Sequence, residues 1–120
     1  MTYWKAQERR IKKLLEDRGW SARRQPGSGN LDHENMKNDV LGAYPNGVTL
    51  SIDHKSTRGQ DSISIRRDYL DKCYRDARAN GDFGAITFGY KGKHQLYAIV
   101  EVEELLELLE EREKTDDRRN

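Results

Sequence analysis

The sequence predicts a single α/β domain in which a central mixed β-sheet is flanked by helices. Three stretches repeat apolar residues at helical spacing and five shorter stretches are extended, which gives the order α-β-β-β-α-β-β-α. A chain of 120 residues has the length of one domain with a core of modest size. We therefore expect one domain over residues 1–114 and a frayed tail over residues 115–120.

The first helix is predicted from about Tyr3 to Arg18, with Gly19 placed to end it. Its apolar stripe consists of Trp4, Ile11, Leu14 and Leu15. At about 100° per residue, Glu8 falls within about 40° of Trp4 and so inside that stripe. A carboxylate that points toward the core is costly unless it is paired or binds a metal. Glu8 is therefore a candidate functional residue, the alternative being a surface pair with Arg9 or Lys12.

Five strands are expected in the middle of the chain. They are Trp20–Arg24, Asp39–Tyr44, Val48–Lys55, Ala85–Tyr90 and Gln95–Val100. The loop 25–30 and a flexible stretch, 31–38, separate the first two strands, and Pro45-Asn46-Gly47 forms a turn before the third. The third strand alternates cleanly, so Asp53 and Lys55 share one face while His54 belongs to the other.

Two further helices are predicted. The second spans about Arg67 to Ala79, and its stripe consists of Leu70, Cys73, Tyr74 and Ala77. The last runs from Val102 to about Arg112 and is expected to bury Val102, Leu105, Leu106 and Leu109. The single cysteine excludes an internal disulfide framework, and we interpret Cys73 as a small buried side chain.

The charge is unevenly distributed, although its sum is only +1. Residues 101–120 carry nine acidic and four basic side chains, whereas residues 1–100 carry eighteen basic and twelve acidic ones. A basic body can neutralise the phosphates of DNA, although a solvated surface has the same composition. Apolar runs are too short to span a membrane and the start is not a signal peptide, so we expect a cytoplasmic protein.

The pattern Asp53-His54-Lys55 carries the candidate chemistry. A D-x-K on a strand is common as a surface ion pair, but here a preceding strand begins at Asp39 and Glu8 lies on the inner side of a helix. Carboxylates that converge beside a lysine suit Mg²⁺, which prefers oxygen ligands and can also accept phosphate oxygens. The lysine can orient the attacking water or stabilise charge on the phosphate. Zinc has no support, because His33 and His94 have no C-x-x-C partner.

An acid on a helix, an aspartate at a strand start and a D-x-K on the following strand resemble the PD-(D/E)XK nucleases, whose fold is restriction-endonuclease-like. The stretch ERRIKKLLEDRGW (residues 8–20) and the Gly27-Ser28 loop are similar to the archaeal-type Holliday junction resolvases, including phage relatives. This resemblance covers about residues 5–100. It implies a homodimer in a microbial or phage-infected cell that resolves four-way DNA by paired nicks, in recombination and repair.

The resemblance also implies roles for individual residues. The implied ligands of Mg²⁺, for which Mn²⁺ can substitute, are Glu8, Asp39 and Asp53. Lys55 would be the catalytic lysine, and Ser28 would be an active-site loop residue. Arg9 and Arg24 match DNA-contacting positions. From the residues alone, the tract from Ser56 to Arg66 and Arg67 is also interpreted as DNA-facing rather than as a solvated loop.

Several alternatives stay open. The stretch between Ser28 and Asp39 is longer than in the family, so Asp32 or Glu34 could supply the second carboxylate. His54 fills a position that is commonly apolar, and we interpret it as a packed histidine rather than a ligand. Other functions compatible with the sequence are another small PD-(D/E)XK nicking or repair nuclease, an inactive DNA-binding protein of this fold and a structural domain with fortuitous acids.

Overall fold

The computed structural model describes the backbone of residues 3–24 and 40–119, and the side chains of residues 6–24 and 40–111. Its elements are α1 (Tyr3–Asp17), β1 (Ser21–Arg24), β2 (Val40–Ala43), β3 (Thr49–His54), α2 (Arg67–Ala79), β4 (Phe83–Gly89), β5 (Leu96–Ile99) and α3 (Val102–Arg119). The predicted element order and the α/β class with a mixed sheet are therefore confirmed. None of the described helices is both long enough and apolar enough to cross a membrane.

The five strands form one sheet in the order β1-β2-β3-β4-β5. Strands β3 and β4 are parallel and are joined through α2, whereas the other neighbouring pairs are antiparallel. The last residues of β1, β3 and β4 and the first residues of β2 and β5 consequently lie at the same edge of the sheet. We call this the Lys55 edge, after the residue that follows β3, and the opposite edge the Glu101 edge, after the residue that precedes α3.

Helix α1 covers one face of the sheet. Ile11 packs there against Val40 and Ile52, with Leu15 beside them. Close approach is possible because β2 carries Gly42, where a Cβ atom would come within 3.2 Å of a Leu15 methyl group. We call this side of the sheet the α1 face.

Helix α2 covers the other face, which we call the α2 face. Cys73 and Tyr74 pack there against Ile86 of β4, and the Tyr74 hydroxyl donates a hydrogen bond of 2.6 Å to the Ile99 carbonyl. Strand β4 begins two residues earlier than predicted, at Phe83, where it pairs with Leu50 of β3. Gly84 lets the helix approach, since a Cβ atom there would lie 2.8 Å from the Tyr74 ring.

The prediction for the last helix is wrong in two respects. Helix α3 continues to Arg119 rather than ending near Arg112, because the segment contains no glycine or proline to interrupt it. The residues expected to be buried are exposed instead: Val102 by 69%, Leu105 by 41%, Leu106 by 49% and Leu109 by 51%.

Polar contacts explain this orientation of α3. Glu104 is buried and accepts a hydrogen bond of 3.3 Å from the backbone N–H of Gly84, while Glu101 pairs with Arg78 at 3.0 Å. Glu101 and Glu104 therefore face the body of the protein, whereas the other glutamates of residues 101–111 and the apolar stripe are exposed.

Candidate active site

Asp53 and Lys55 lie side by side on the α2 face. The Cys73 thiol donates a hydrogen bond of 2.6 Å to Oδ2 of Asp53, and Nζ of Lys55 lies 5.4 Å from the centroid of the Tyr69 ring. Tyr69 and Cys73 are one helical turn apart on α2, so the side chains of Asp53 and Lys55 project in the same direction. This confirms the prediction from strand alternation.

Cys73 was predicted only as a small buried side chain, and the structure confirms its burial. Burial raises the pKa of the thiol far above its ordinary value, and the neighbouring Asp53 carboxylate adds to this effect. The thiol therefore stays protonated and acts as a donor to Asp53. Its contact with Asp53 could not be predicted, because the register of α2 against β3 is a tertiary feature.

Glu8 is 2% exposed, which confirms that it points inward from α1. The side chain of Arg24 neutralises it: Nε and Nη2 donate to Oε1 of Glu8 at 3.2 and 3.1 Å. Arg24 is paired in the sheet with Val40, whose side chain lies on the α1 face. The guanidinium thus reaches Glu8 on that face.

Glu8 and Asp53 approach the Lys55 edge of the sheet from opposite faces, because Glu8 contacts Arg24 on the α1 face while Asp53 contacts Cys73 of α2. Among the side chains that the structure describes, no three His, Cys, Asp or Glu residues form a group that could hold a metal ion. The other predicted acids, Asp39, Asp32 and Glu34, and the loop residue Ser28 lie outside the described residues. The convergence of three carboxylates therefore remains a prediction.

Val40 is paired in the sheet with residues next to both carboxylates. It pairs with Arg24, the partner of Glu8, on one side and with Ile52, the neighbour of Asp53, on the other. Asp39 is the residue that directly precedes Val40 in the sequence. The role of Asp39 as a metal ligand stays a prediction.

His54 points toward the α1 face, away from the Asp53 side, as predicted. Its Nδ1 lies 3.0 Å from the Thr87 hydroxyl of the neighbouring strand. Burial lowers the pKa of the imidazole from 6.5 to about 4, so the ring is neutral at physiological pH. This is the packed histidine that the alternation indicated.

The segment after β3 forms a polar cavity of about 480 Å³ beside Lys55. The cavity is lined by hydroxyl, amide and cationic groups, including Ser56, Arg58, Gln60, Ser62 and Ser64. Arg58 has a positive φ of 55°, and its N–H donates to the Ser56 hydroxyl at 3.1 Å. Such donors suit the oxygens of a phosphodiester.

A larger cavity of about 530 Å³ lies on the α2 face, further toward the Glu101 edge. Two of its hydroxyls already have a partner, because Thr49 and Ser51 donate to Asp82 at 2.5 and 2.6 Å. We therefore place the candidate active site at the Lys55 cavity rather than in the larger one.

The arginines predicted to contact DNA are in different environments. Arg9 on α1 and both Arg66 and Arg67 at the start of α2 are exposed, and Arg66 forms a surface pair with Asp68 at 3.2 Å. Because α2 joins two parallel strands, it begins at the Lys55 edge. Arg24 is the exception, since it is half-buried against Glu8.

Comparisons with known proteins found a matching family model and a similar solved structure. The model of the archaeal Holliday junction resolvase family (Hjc) matches residues 4–117. The structure is similar to the 1.6 Å structure of Hjc, a Holliday junction resolvase from the archaeal hyperthermophile Archaeoglobus fulgidus, with a TM-score of 0.64 and 20% identity over 78% of this chain and 72% of that one. This likeness establishes the restriction-endonuclease-like fold. No curated protein matched.

Proposed function

Because the chain belongs to the archaeal Holliday junction resolvase family, a family of junction-resolving nucleases, we propose that it is a metal-dependent endonuclease that makes paired nicks in four-way and other branched DNA. The observation that carries this proposal is the placement of Asp53 and Lys55 together on the α2 face, beside a cavity lined by hydroxyl, amide and cationic groups.

Glu8, Asp39 and Asp53 are the proposed ligands of a divalent cation, Mg²⁺ or in its place Mn²⁺. Two of these residues are described, and both are buried carboxylates held by a donor, which is the oxygen chemistry that such hard cations require. When bound, the cation supplies polarisation of the phosphate and a lower pKa for an attacking water.

The other residues of the proposed site act on the substrate. Lys55 orients the attacking water or stabilises charge that develops on the phosphate, and its position over the Tyr69 ring limits the directions in which it can point. Ser28 is proposed as an active-site loop residue. Arg9, Arg24, Arg66 and Arg67 are proposed to contact DNA phosphates, which position the substrate without reading its sequence.

We also propose that the protein acts as a homodimer in the cytoplasm, where two sites can nick opposite strands of one junction. The exposed apolar stripe on α3 is consistent with a contact between two copies, since residues 102, 105, 106 and 109 share one side of the helix. Sedimentation of the unchanged protein and of Leu106→Glu tests this. A monomer at all concentrations would contradict the dimer.

A cleavage gel tests the main proposal. Four-way, nicked and linear duplexes of the same sequence are incubated with the protein in Mg²⁺ or in EDTA, and paired nicks are expected only in the four-way DNA with Mg²⁺. Equal cutting of all substrates would favour a general nicking or repair nuclease instead. Junction binding without cutting would favour an inactive DNA-binding protein.

A further inference from the structure

We propose that the β4–β5 hairpin, residues 90–95, is an additional DNA-contacting element in which Lys93 binds a backbone phosphate near the bond that is cut. The inference rests on the proposed nuclease function, but it concerns a surface outside the proposed active site and outside the four arginines assigned to DNA. It is based on the position, the rigidity and the charge of the hairpin.

The hairpin lies at the Lys55 edge of the sheet. Strand β4 runs parallel to β3, and the backbone N–H of Lys55 donates to the Thr87 carbonyl at 2.8 Å. The Thr57 hydroxyl, in the segment after Lys55, donates to the Gly89 carbonyl at 3.3 Å. With a strand spacing of about 4.8 Å and a rise of about 3.3 Å per residue, the hairpin begins within roughly 10 Å of Lys55.

Lys93 is held in place by an aromatic side chain. Its Nζ donates a hydrogen bond of 3.0 Å to the Tyr97 hydroxyl and lies 5.5 Å from the centroid of the Tyr97 ring. The Tyr97 ring stacks on Phe88 with centroids 5.6 Å apart, and Tyr90 packs edge-on against Phe88. An exposed lysine normally loses side-chain entropy when it binds a phosphate, and a cation that is already positioned loses less.

The aromatic support of Lys93 lies on the same face of the sheet as Lys55. Ile86 and Ile99 belong to the core beneath α2, and Phe88 and Tyr97 are each two residues away along their strands. Residues two apart in a strand share a face. Lys93 and Lys55 are therefore attached to one continuous surface that a DNA strand can follow.

The charges around the hairpin are those of a phosphate-binding surface. Residues 90–97 contain no acidic side chain, and both Lys91 and Lys93 are exposed. At the opposite edge, Asp82 and four glutamates, Glu101, Glu103, Glu104 and Glu107, line one cavity with a single basic residue, Arg78. Among the described residues, the hairpin thus presents positive charge at the Lys55 edge and this cavity presents negative charge at the Glu101 edge, which favours DNA binding on the side of the hairpin.

Binding to a fluorescent four-way junction in EDTA tests the inference without cleavage. Loss of one phosphate contact makes the plot of log affinity against log salt less steep by about 0.9. The ratio of the junction affinity of the unchanged protein to that of Lys93→Ala should therefore fall about threefold between roughly 50 and 200 mM salt. Lys72→Ala is the matched control, because Lys72 is a lysine of α2 paired with Asp76 away from the hairpin; its slope should equal that of the unchanged protein.

A second variant tests whether Tyr97 positions Lys93. Tyr97→Phe retains the ring and every charge but removes the hydrogen-bond partner, so we expect weaker junction binding than in the unchanged protein with the same salt slope. Circular dichroism confirms that each variant is folded. If the unchanged protein cuts junctions but Lys93→Ala and Lys72→Ala have equal junction affinity and equal salt slope, the hairpin inference alone is overturned. If the unchanged protein neither binds nor cuts junctions, the proposed function itself is overturned.

Discussion

Glu8 and Arg24 form an ion pair in which two guanidinium nitrogens donate to one carboxylate oxygen, at 3.2 and 3.1 Å. The side chain of Glu8 is 3% exposed and that of Arg24 is 28% exposed, so the pair lies largely inside the protein. The proposed function gives these residues separate roles, one toward a metal and the other toward DNA. Their contact means that a change in either residue alters the electrostatic environment of the other.

Removal of Arg24 should destabilise the protein. Arg24→Ala leaves the Glu8 carboxylate buried without its guanidinium, and we expect the free energy of unfolding to fall by roughly 3 kcal/mol. Because Glu8→Gln removes the charge, the double variant should lose clearly less than the two single losses combined. Urea unfolding measures the free energy of unfolding of the two single variants and the double variant.

The control is Lys13→Ala, which breaks an exposed pair with Asp17 and should cost less than about 1 kcal/mol. Strict additivity of the Arg24 and Glu8 variants would show that the buried pair does not couple them.

Substitution of the proposed catalytic residues should abolish cleavage while leaving junction binding largely intact. Asp53→Asn, Lys55→Ala and Glu8→Gln each remove a group that serves the metal or the water, whereas phosphate contacts dominate affinity. We expect the cleavage rate at saturating Mg²⁺ to fall at least roughly a hundredfold in each. Near-normal cutting by any one variant would remove that residue from the proposed site.

The local pattern of the sequence was sufficient to predict β3 and the inward position of Glu8. Alternation alone determines that Asp53 and Lys55 share a face, and the helical period alone places Glu8 toward the core. These features depend on residues that are close in the sequence, which explains why they were correctly predicted.

Contacts between distant segments were not predictable in the same way. The thiol of Cys73 reaches Asp53 only because α2 crosses β3 in one particular register. Helix α3 was expected to bury its leucines, but Glu104 and Glu101 find partners at Gly84 and Arg78, and these polar contacts determine which side of the helix faces inward. An apolar stripe indicates that a surface will be covered, but it does not identify the covering segment.

Asp39, rather than Asp32 or Glu34, should supply the second carboxylate. Asp39 directly precedes Val40, a fully buried residue of β2, and a metal site requires ligands attached to rigid elements. Asp39→Asn should therefore abolish cleavage, whereas Asp32→Asn and Glu34→Gln should retain it. An active Asp39→Asn enzyme together with an inactive variant at either other position would reverse the assignment.

The stability of the metal-free protein should depend on pH through His54. The unfolded ring takes up a proton near pH 6.5, whereas burial keeps the folded ring neutral until about pH 4. Between these values the unfolded state binds more protons, so the free energy of unfolding should fall as the pH is lowered from 6.5 toward 4. Urea unfolding in EDTA across this range measures the slope, and His54→Gln should reduce it. An unchanged slope in the variant would assign the pH dependence to other groups.

The end of α3 should be dispensable for junction cleavage. The helix begins at the Glu101 edge, opposite the edge where Lys55 and the start of α2 lie, and residues 101–111 contain six glutamates and no basic residue. Carboxylates next to DNA would repel its phosphates, so DNA should bind on the far side of the molecule from α3. A protein lacking Thr115–Asn120 should therefore cut four-way DNA at nearly the rate of the full chain, with the same dependence of binding on salt. The test compares the cleavage rates of the two proteins on four-way DNA and the dependence of their junction affinities on salt. If the shorter protein binds junctions normally but no longer cuts them, the end of α3 must belong to the dimer or to the active site rather than to a surface remote from DNA.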